Sequence, residues 1–137
     1  MEYVVKKRQF AFTLIELIIV LAIICIVTCI AYPSYESYII KARRSNAAIA
    51  LMNLAASMEQ YYTNNHTYQG ASLKNLRINN NNDFYYLKIA SENDISYLIE
   101  AIPVGIQAKT DEKCGTLILN QLGEKSVSKG NAIYCWP

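Results

Sequence analysis

Residues 12–32 read FTLIELIIVLAIICIVTCIAY and contain a single charged side chain, Glu16. At about 1.5 Å per residue in an α-helix, this stretch would be about 30 Å long, which matches the hydrocarbon thickness of a bilayer. A secretory signal would stop after about 7–15 apolar residues at a small-residue cleavage site, whereas this run continues without one. The sequence therefore predicts a membrane-spanning helix that stays in the mature protein.

The residues before this stretch carry the net charge of the chain. Lys6, Lys7 and Arg8 against Glu2 account for the formal charge of +2, and the ten basic and ten acidic side chains that follow cancel. A basic flank before a membrane span predicts a cytoplasmic N-terminus, so the remainder of the chain is expected on the exported side. The balanced charge of that remainder gives no general electrostatic argument for nucleic-acid binding.

The four cysteines form two unlike pairs. Cys114 and Cys135 lie in the polar C-terminal part, on the expected exported side, where disulfides persist. We expect them to be bridged, and closing a loop of about 20 residues would stabilise the fold by about 3 kcal/mol. Cys25 and Cys29 lie inside the apolar run, where we interpret them as small apolar residues rather than a metal or redox site.

Helical patterning continues beyond the apolar run. Pro33 is expected to kink the helix, because its ring removes a backbone donor and crowds the preceding turn. Further on, apolar residues recur at helical spacing and predict an amphipathic helix that fades near residue 64. The stripe consists of Leu51, Leu54, Ala55, Met58 and Tyr62.

The last part of the sequence changes to strand-like patterning. Four segments rich in aromatic and β-branched residues predict strands, with a tight hairpin at residues 92–94 and a turn at 121–124. The predicted strands are 84–90, 95–102, 115–120 and 125–127. The fold class is therefore α+β, with a long N-terminal helix packed on a small four-stranded antiparallel sheet. We expect a leader at 1–11, a membrane helix at 12–32, an amphipathic half at 33–64 and a head at 65–137 with a disulfide region at 114–135.

The junction at residues 7–17, KRQFAFTLIEL, combines a basic leader, a small residue, a Phe and a lone carboxylate in the span. In this layout the chain resembles the type IV pilin family. The resemblance implies that a prepilin peptidase cuts between Ala11 and Phe12 and methylates the new Phe12 amino group. It also implies that Glu16 pairs with the Phe12 amine of a neighbouring subunit during assembly. The family normally has Gly where this chain has Ala11 and Cys25.

The resemblance extends along most of the chain and is closest to PilE-type minor pilins. The similar segments are 31–35 (AYPSY), 41–45 (KARRS), 59–62 (EQYY), 114–124 (CGTLILNQLGE) and 135–136 (CW). It implies a structural minor pilin of a type IV pilus, serving adhesion, twitching motility or DNA uptake. The implied partners are other pilin subunits, a prepilin peptidase and the inner-membrane assembly platform. The protein would cross the inner membrane once, with its N-terminus in the cytoplasm, and then enter an extracellular pilus.

Two alternatives remain open: a pseudopilin of a type II secretion system, and a competence pilin that binds DNA. Lys41, Arg43 and Arg44 form a basic cluster just after the predicted membrane span, which could touch anionic lipid or an adjoining subunit. Catalysis has no clear candidate, since His66 is the sole histidine and no calcium-loop or phosphate-loop spacing occurs. We expect a non-enzyme with no catalytic residue, metal site or cofactor.

Overall fold

The computed structural model describes residues 12–80 and 82–137. Its first element is the helix α1, Leu14–Asn65, which continues through Pro33. The long helix was expected to end at residue 64, and its observed end lies one residue later. The chain divides into two compact units, one ending at Ser37 and the other comprising Tyr38–Pro137. We call the second unit the head.

The part of α1 in the first unit is apolar and exposed. Its most apolar window has a mean hydropathy of 3.1, and none of it is buried. The polar group of Thr28 is satisfied within the helix, because its hydroxyl donates to the Ile24 carbonyl at 2.8 Å and the Cys25 carbonyl at 3.0 Å. By length and composition, this is the one helix in the described residues that could cross a membrane.

The head contains a four-stranded sheet in the order β1-β2-β3-β4, in which every neighbouring pair is antiparallel. The predicted fold class is thereby confirmed, with small shifts at the strand ends. The strands are β1 Tyr85–Glu92, β2 Tyr97–Pro103, β3 Leu117–Asn120 and β4 Lys125–Val127.

One hydrophobic core joins the second half of α1 to the sheet. Leu51, Leu54 and Met58 from the predicted stripe are fully buried, and Ala47 and Ala48 extend the same face. The strands contribute alternate residues, as a sheet with one covered face requires. Their buried members include Tyr85, Leu87, Tyr97, Ile99, Ala101, Leu117 and Leu119.

Two short helices were not predicted. Helix α2, Gly105–Thr110, lies between β2 and β3, and helix α3, Ala132–Cys135, lies near the end of the chain. Both are shorter than two helical turns, so they show no apolar periodicity that a sequence pattern could detect. Helix α3 is marked locally by Asn131, whose side chain accepts a hydrogen bond from the Ile133 N–H, as N-cap residues do.

Asn80, which precedes β1 in the sequence, protects an edge of the sheet. Asn80 bonds to both backbone groups of Leu87 in the edge strand β1. The Leu87 N–H donates to the Asn80 side-chain oxygen at 2.7 Å, and the Asn80 amide donates to the Leu87 carbonyl at 2.9 Å. The Asn80 side chain thus makes the two hydrogen bonds that a neighbouring strand would otherwise make with Leu87. This protects a sheet edge that could pair with another chain.

Candidate functional site

The N-terminus of α1 is closed by a reciprocal capping box. The Glu16 N–H donates to the Thr13 hydroxyl at 3.3 Å, and the Thr13 N–H donates to a Glu16 carboxylate oxygen at 3.5 Å. This arrangement satisfies two backbone donors that a helix start otherwise leaves unpaired. Glu16 therefore has a local role that the sequence analysis missed, although the Thr-x-x-Glu spacing is its usual signal.

The predicted processing site lies at the edge of the described residues. Phe12 is 79% exposed just before the capping box, while Ala11 lies outside the described part of the chain. The interpretation of this site therefore continues to rest on the sequence. Cys25 and Cys29 are exposed free thiols on α1, and their spacing of four residues places them on the same face of the helix.

A buried polar cluster lies in the head, where the sequence analysis expected a basic surface. Arg44 and Asp111 are both buried and form an ion pair, with 2.8 Å between Arg44 Nε and Asp111 Oδ2. The contact is charge pairing rather than an aligned hydrogen bond, since Arg44 Nε has no hydrogen-bond partner among the described residues. The prediction of a surface cluster of three cations was therefore wrong for Arg44, because its side chain is buried in an ion pair with Asp111.

The other two members of the expected basic cluster behave differently. Arg43 is half-buried, and its guanidinium lies 4.0 Å from the centre of the Phe84 ring. Such a cation–π contact holds the side chain against the head. Lys41 alone is exposed, and it makes no ion pair within the described part of the chain. Of the predicted basic patch, Lys41 thus remains fully exposed, Arg43 is held against Phe84, and Arg44 is buried.

Polar neighbours complete the buried cluster. The Gln107 amide donates to Asp111 Oδ2 and to the Tyr85 hydroxyl, each at 3.1 Å. The Tyr85 hydroxyl lies 3.4 Å from Asp111 Oδ2 and donates to it. Burial raises the pKa of Tyr85 to about 12, and the Asp111 carboxylate adds to this rise. The cluster thus joins α1, β1, α2 and the residue that follows α2.

Arg44 also connects α1 to the C-terminal segment. Its Nη1 group donates to the backbone carbonyls of Tyr134 at 3.5 Å and Cys135 at 3.4 Å. Cys135 in turn forms a disulfide with Cys114, 21 residues earlier, as the sequence analysis expected. The C-terminal segment is thereby held by a covalent bond and by a buried guanidinium.

Close packing around the disulfide explains Gly130 and Trp136. Gly130 has a φ of +72°, and a Cβ at this position would collide with the Lys113 carbonyl oxygen. The Trp136 side chain is buried in the core and donates its ring N–H to the Ser126 carbonyl at 2.9 Å. Trp136 thus joins α3 to the edge strand β4.

At the other end of the head, Glu59 organises a group of tyrosines. The Tyr68 hydroxyl lies 3.0 Å from both Glu59 carboxylate oxygens. The Tyr68 ring stacks on Tyr62 at 4.6 Å and meets the edge of Tyr97 at 4.9 Å. Burial, with Glu59 nearby, raises the pKa of Tyr68 to about 12 and also raises the pKa of Tyr97. These rings bring the loop after α1 and the start of β2 together.

Within residues 12–80 and 82–137, no group of three or more His, Cys, Asp or Glu side chains could hold a metal ion. His66 is exposed in the turn after α1, with a φ of 58°. The features with clear physical roles cap the start of α1 and hold the small head together.

Two family models match the sequence. One describes the type IV minor pilin ComP, DNA uptake sequence receptor, and matches residues 33–118. The other describes the prokaryotic N-terminal methylation motif and matches residues 6–32. The two matched ranges are adjacent and meet between Tyr32 and Pro33.

Curated relatives match over a shorter range. A fimbrial protein of Neisseria meningitidis serogroup B is 37% identical over 62 residues, which cover 45% of this chain and 36% of the relative. Fimbrial protein EcpC of Eikenella corrodens is 40% identical over 58 residues, covering 42% of this chain and 38% of the relative. The type IV major pilin PilE of Neisseria gonorrhoeae is 39% identical over 56 residues, covering 41% and 34%. The match thus spans little more than a third of each relative.

Two solved structures share the fold. The non-core minor pilin PilV of Neisseria meningitidis superposes with a TM-score of 0.57 at 21% identity, covering 69% of this chain and 92% of that one. A type IV pilin from Shewanella oneidensis superposes with a TM-score of 0.53 at 22% identity, covering 72% and 98%. The fold of both is that of a long helix packed on an antiparallel sheet.

Proposed function

This chain belongs to the type IV minor pilin family, and from that premise we propose how it is processed and incorporated into a pilus. A prepilin peptidase cuts between Ala11 and Phe12, and the new Phe12 amino group is methylated. The subunit then crosses the inner membrane once, with its N-terminus in the cytoplasm, until the assembly platform transfers it to a fibre of pilin subunits. The methylation-motif match over residues 6–32 and the exposed apolar half of α1 support these steps.

The observation that carries the proposal is the position of Glu16 in an otherwise apolar segment. A carboxylate in hydrocarbon costs about 2.5–3.5 kcal/mol on insertion scales, unless a partner compensates it. The capping box supplies hydrogen bonds to Glu16, but it supplies no opposite charge. The Phe12 ammonium of a neighbouring subunit would supply that charge, so assembly would relieve a cost that the single subunit bears.

A pair of variants separates the charge of Glu16 from its capping role. Glu16→Gln keeps a side chain that can cap the helix but removes the charge, since Gln also serves in capping boxes. Thr13→Ala weakens the cap by about 1 kcal/mol and keeps the charge. We expect Glu16→Gln to remove the protein from sheared fibres and Thr13→Ala to leave it there.

The processing step is tested by mass spectrometry of the mature subunit, which should begin at an N-methylated Phe12. A mature protein that still begins at Met1, or normal incorporation of Glu16→Gln into fibres, would contradict the proposal. Membrane levels of both variants, measured on the same cells, control for loss of the protein before assembly.

The second candidate function, within the same pilus, is DNA binding by the head. The matching family model is described as a DNA uptake sequence receptor, and its match covers most of the head. Asp111, which lies close to the disulfide in sequence, is buried against Arg44 and does not contribute to the surface charge there. Four lysines near the disulfide remain exposed against two exposed carboxylates: Lys109, Lys113, Lys125 and Lys129 against Glu112 and Glu124.

Binding should be measured by mobility shift with the detergent-solubilised full chain and duplex DNA at several salt concentrations. Phosphate contacts release counterions, so affinity should fall with salt by a slope of about −0.9 for each phosphate that is neutralised. Absence of binding at micromolar protein would rule out this role and would leave the pilus proposal intact. The family and fold are those of structural proteins, and we propose no enzymatic activity.

A further inference from the structure

The end of the head where α1 enters it carries an exposed apolar surface. A cleft of 290 Å³ lies there, lined by the start of the head's helix and by the C-terminal segment. Two residues of α3 line this cleft and remain exposed, Ile133 at 90% and Tyr134 at 62%. Tyr38 is 68% exposed and lies three residues before Lys41, so the two share a face of α1. We call these four residues the α3 rim.

The backbone of the α3 rim is bonded firmly to the head. The Asn131 side chain caps α3 by accepting a hydrogen bond from the Ile133 N–H. At the other end of α3, Arg44 donates to the carbonyls of Tyr134 and Cys135, and the disulfide holds Cys135 itself. Two large side chains are thus kept in water by a well-bonded segment. Exposed apolar surfaces of this kind mark contacts with partners or membranes.

The free charge at the α3 rim is positive. Lys41 lines the cleft, is exposed, and forms no ion pair within residues 12–80 and 82–137. Arg44 also lines the cleft, but Asp111 already balances its charge. A lysine beside tyrosine and isoleucine side chains is typical of a membrane–water interface, where tyrosine rings lie at the headgroups and a flexible lysine reaches the polar layer.

The place of the α3 rim in the chain favours a lipid surface as its partner. Lys41 follows Tyr32, the last residue of the apolar run, by nine residues, which correspond to about 13 Å in an α-helix. The headgroup layer itself extends about 5–7 Å beyond the hydrocarbon on each side of a bilayer. Ile95 is also exposed, at 77%, but it lies beside Glu92 and Asp94, which anionic headgroups would repel.

We propose that the α3 rim docks on the exported face of the inner membrane while the subunit is anchored there. Ile133 and Tyr134 lie at the level of the lipid headgroups, and Lys41 lies beside anionic ones. The contact holds one end of the head to the bilayer, which a single membrane span does not do, and it ends when the subunit leaves for the fibre. The inference rests on the membrane-anchored stage of the proposed pilus role and adds a lipid contact made before assembly.

Quenching of Trp136 fluorescence by spin-labelled lipid tests the docking. The full chain is reconstituted in vesicles of phosphatidylethanolamine and phosphatidylglycerol that carry a nitroxide on the headgroup. Trp136 is the sole tryptophan of the chain and lines the same cleft. We expect strong quenching, which the double variant Ile133→Asp with Tyr134→Ser should lower several-fold. Ile95→Asp is the matched control, because it places a charge at another exposed isoleucine of the head, and it should leave the quenching unchanged.

The charge of Lys41 gives a second, independent test. Lys41→Glu should lower the quenching several-fold in vesicles that contain phosphatidylglycerol and have little effect in vesicles of phosphatidylcholine alone, since only the first surface is anionic. Lys88→Glu changes the net charge equally at an exposed position of β1 and should have little effect in either lipid. An equal loss in both lipids would overturn the contact between Lys41 and anionic headgroups.

The outcomes separate this inference from the pilus proposal. Equal melting temperatures of the double variant and the unmodified protein show that the head has stayed folded. A chain that floats with the vesicles but is quenched equally with and without the Ile133 and Tyr134 substitutions overturns the docking and leaves the pilus role standing. A loss of quenching in Ile95→Asp as large as in the double variant also overturns it. A chain that does not float with the vesicles contradicts the proposed membrane-anchored stage itself.

Discussion

Replacing Arg44 should destabilise the head more than any surface change, because it leaves Asp111 buried without a counter-charge. Asp111 would keep its hydrogen bonds from Gln107 and Tyr85, but these donors are neutral. Removing one partner of a buried ion pair typically costs about 3–5 kcal/mol. We therefore expect Arg44→Met, which retains much of the buried hydrocarbon, to lower the free energy of unfolding by about that amount.

The assay is equilibrium unfolding of the detergent-solubilised full chain, followed by tryptophan fluorescence. Trp136 is the sole tryptophan and is buried in the core of the head, so it reports unfolding there. For a domain of about 100 residues, 1 kcal/mol corresponds to about 4–8 °C in the melting temperature. Arg44→Met should therefore melt at least about 12 °C lower. Lys41→Met, one turn earlier and exposed, should stay within about 0.5 kcal/mol of the unmodified protein.

The double variant decides whether the loss comes from the pairing itself. The double variant Arg44→Met with Asp111→Asn removes both charges. Its loss in the free energy of unfolding should therefore be smaller, by more than about 1 kcal/mol, than the sum of the losses in the two single variants. Additive costs, or a loss below about 1 kcal/mol for Arg44→Met alone, would show that the two groups do not form a buried pair.

Three further predictions concern the same head. Replacing Cys114 and Cys135 together with Ala should lower the free energy of unfolding by about 3 kcal/mol, as measured by the same fluorescence assay without reductant. Raising the pH from about 10 to 12 should lower the free energy of unfolding, because folded Tyr85 keeps a proton that the unfolded chain has lost. In Tyr85→Phe the free energy of unfolding should fall less steeply over this range. Equal slopes in the two proteins would contradict the raised pKa of Tyr85. Leu54→Ala should lower the free energy of unfolding by about 2–5 kcal/mol, because Leu54 is fully buried. Met52→Ala, two residues earlier and 46% exposed, should lower it far less. Similar losses in the two variants would show that the buried face of α1 is assigned wrongly.

The fold could be predicted from the sequence wherever a repeating pattern extended over several turns or strands. Leu51, Leu54 and Met58 recur at helical spacing and are all buried. The strand-like residues of β2 placed the start of that strand two residues before its observed position. The short helices α2 and α3 could not be found in this way. Their positions depend on contacts made only after folding, such as the hydrogen bonds of Gln107 within the buried cluster.

The buried cluster was missed for a different reason. Arg44 follows Lys41 and Arg43, and a run of basic residues normally lies in water because burying a charge is costly. Its partner Asp111 is 67 residues away in sequence and stands next to Glu112 and Lys113, where it resembles ordinary surface charge. Only folding brings the two residues together, and no local spacing in the sequence predicts such a pair.

Glu16 shows how a local role limits what an assembly contact can contribute. In the single chain its carboxylate accepts a hydrogen bond from the Thr13 N–H. Under the proposed assembly, the Phe12 ammonium of a neighbouring subunit approaches the same carboxylate. The net gain in free energy is then the contribution of the new charge pairing minus any weakening of the cap. A carboxylate can accept several hydrogen bonds, and both partners can therefore be held at once. If so, Thr13→Ala and Glu16→Gln should have separable effects, the first on the helix start and the second on incorporation into fibres. Equal loss of incorporation in both variants would instead mean that the cap positions Glu16 for its neighbour.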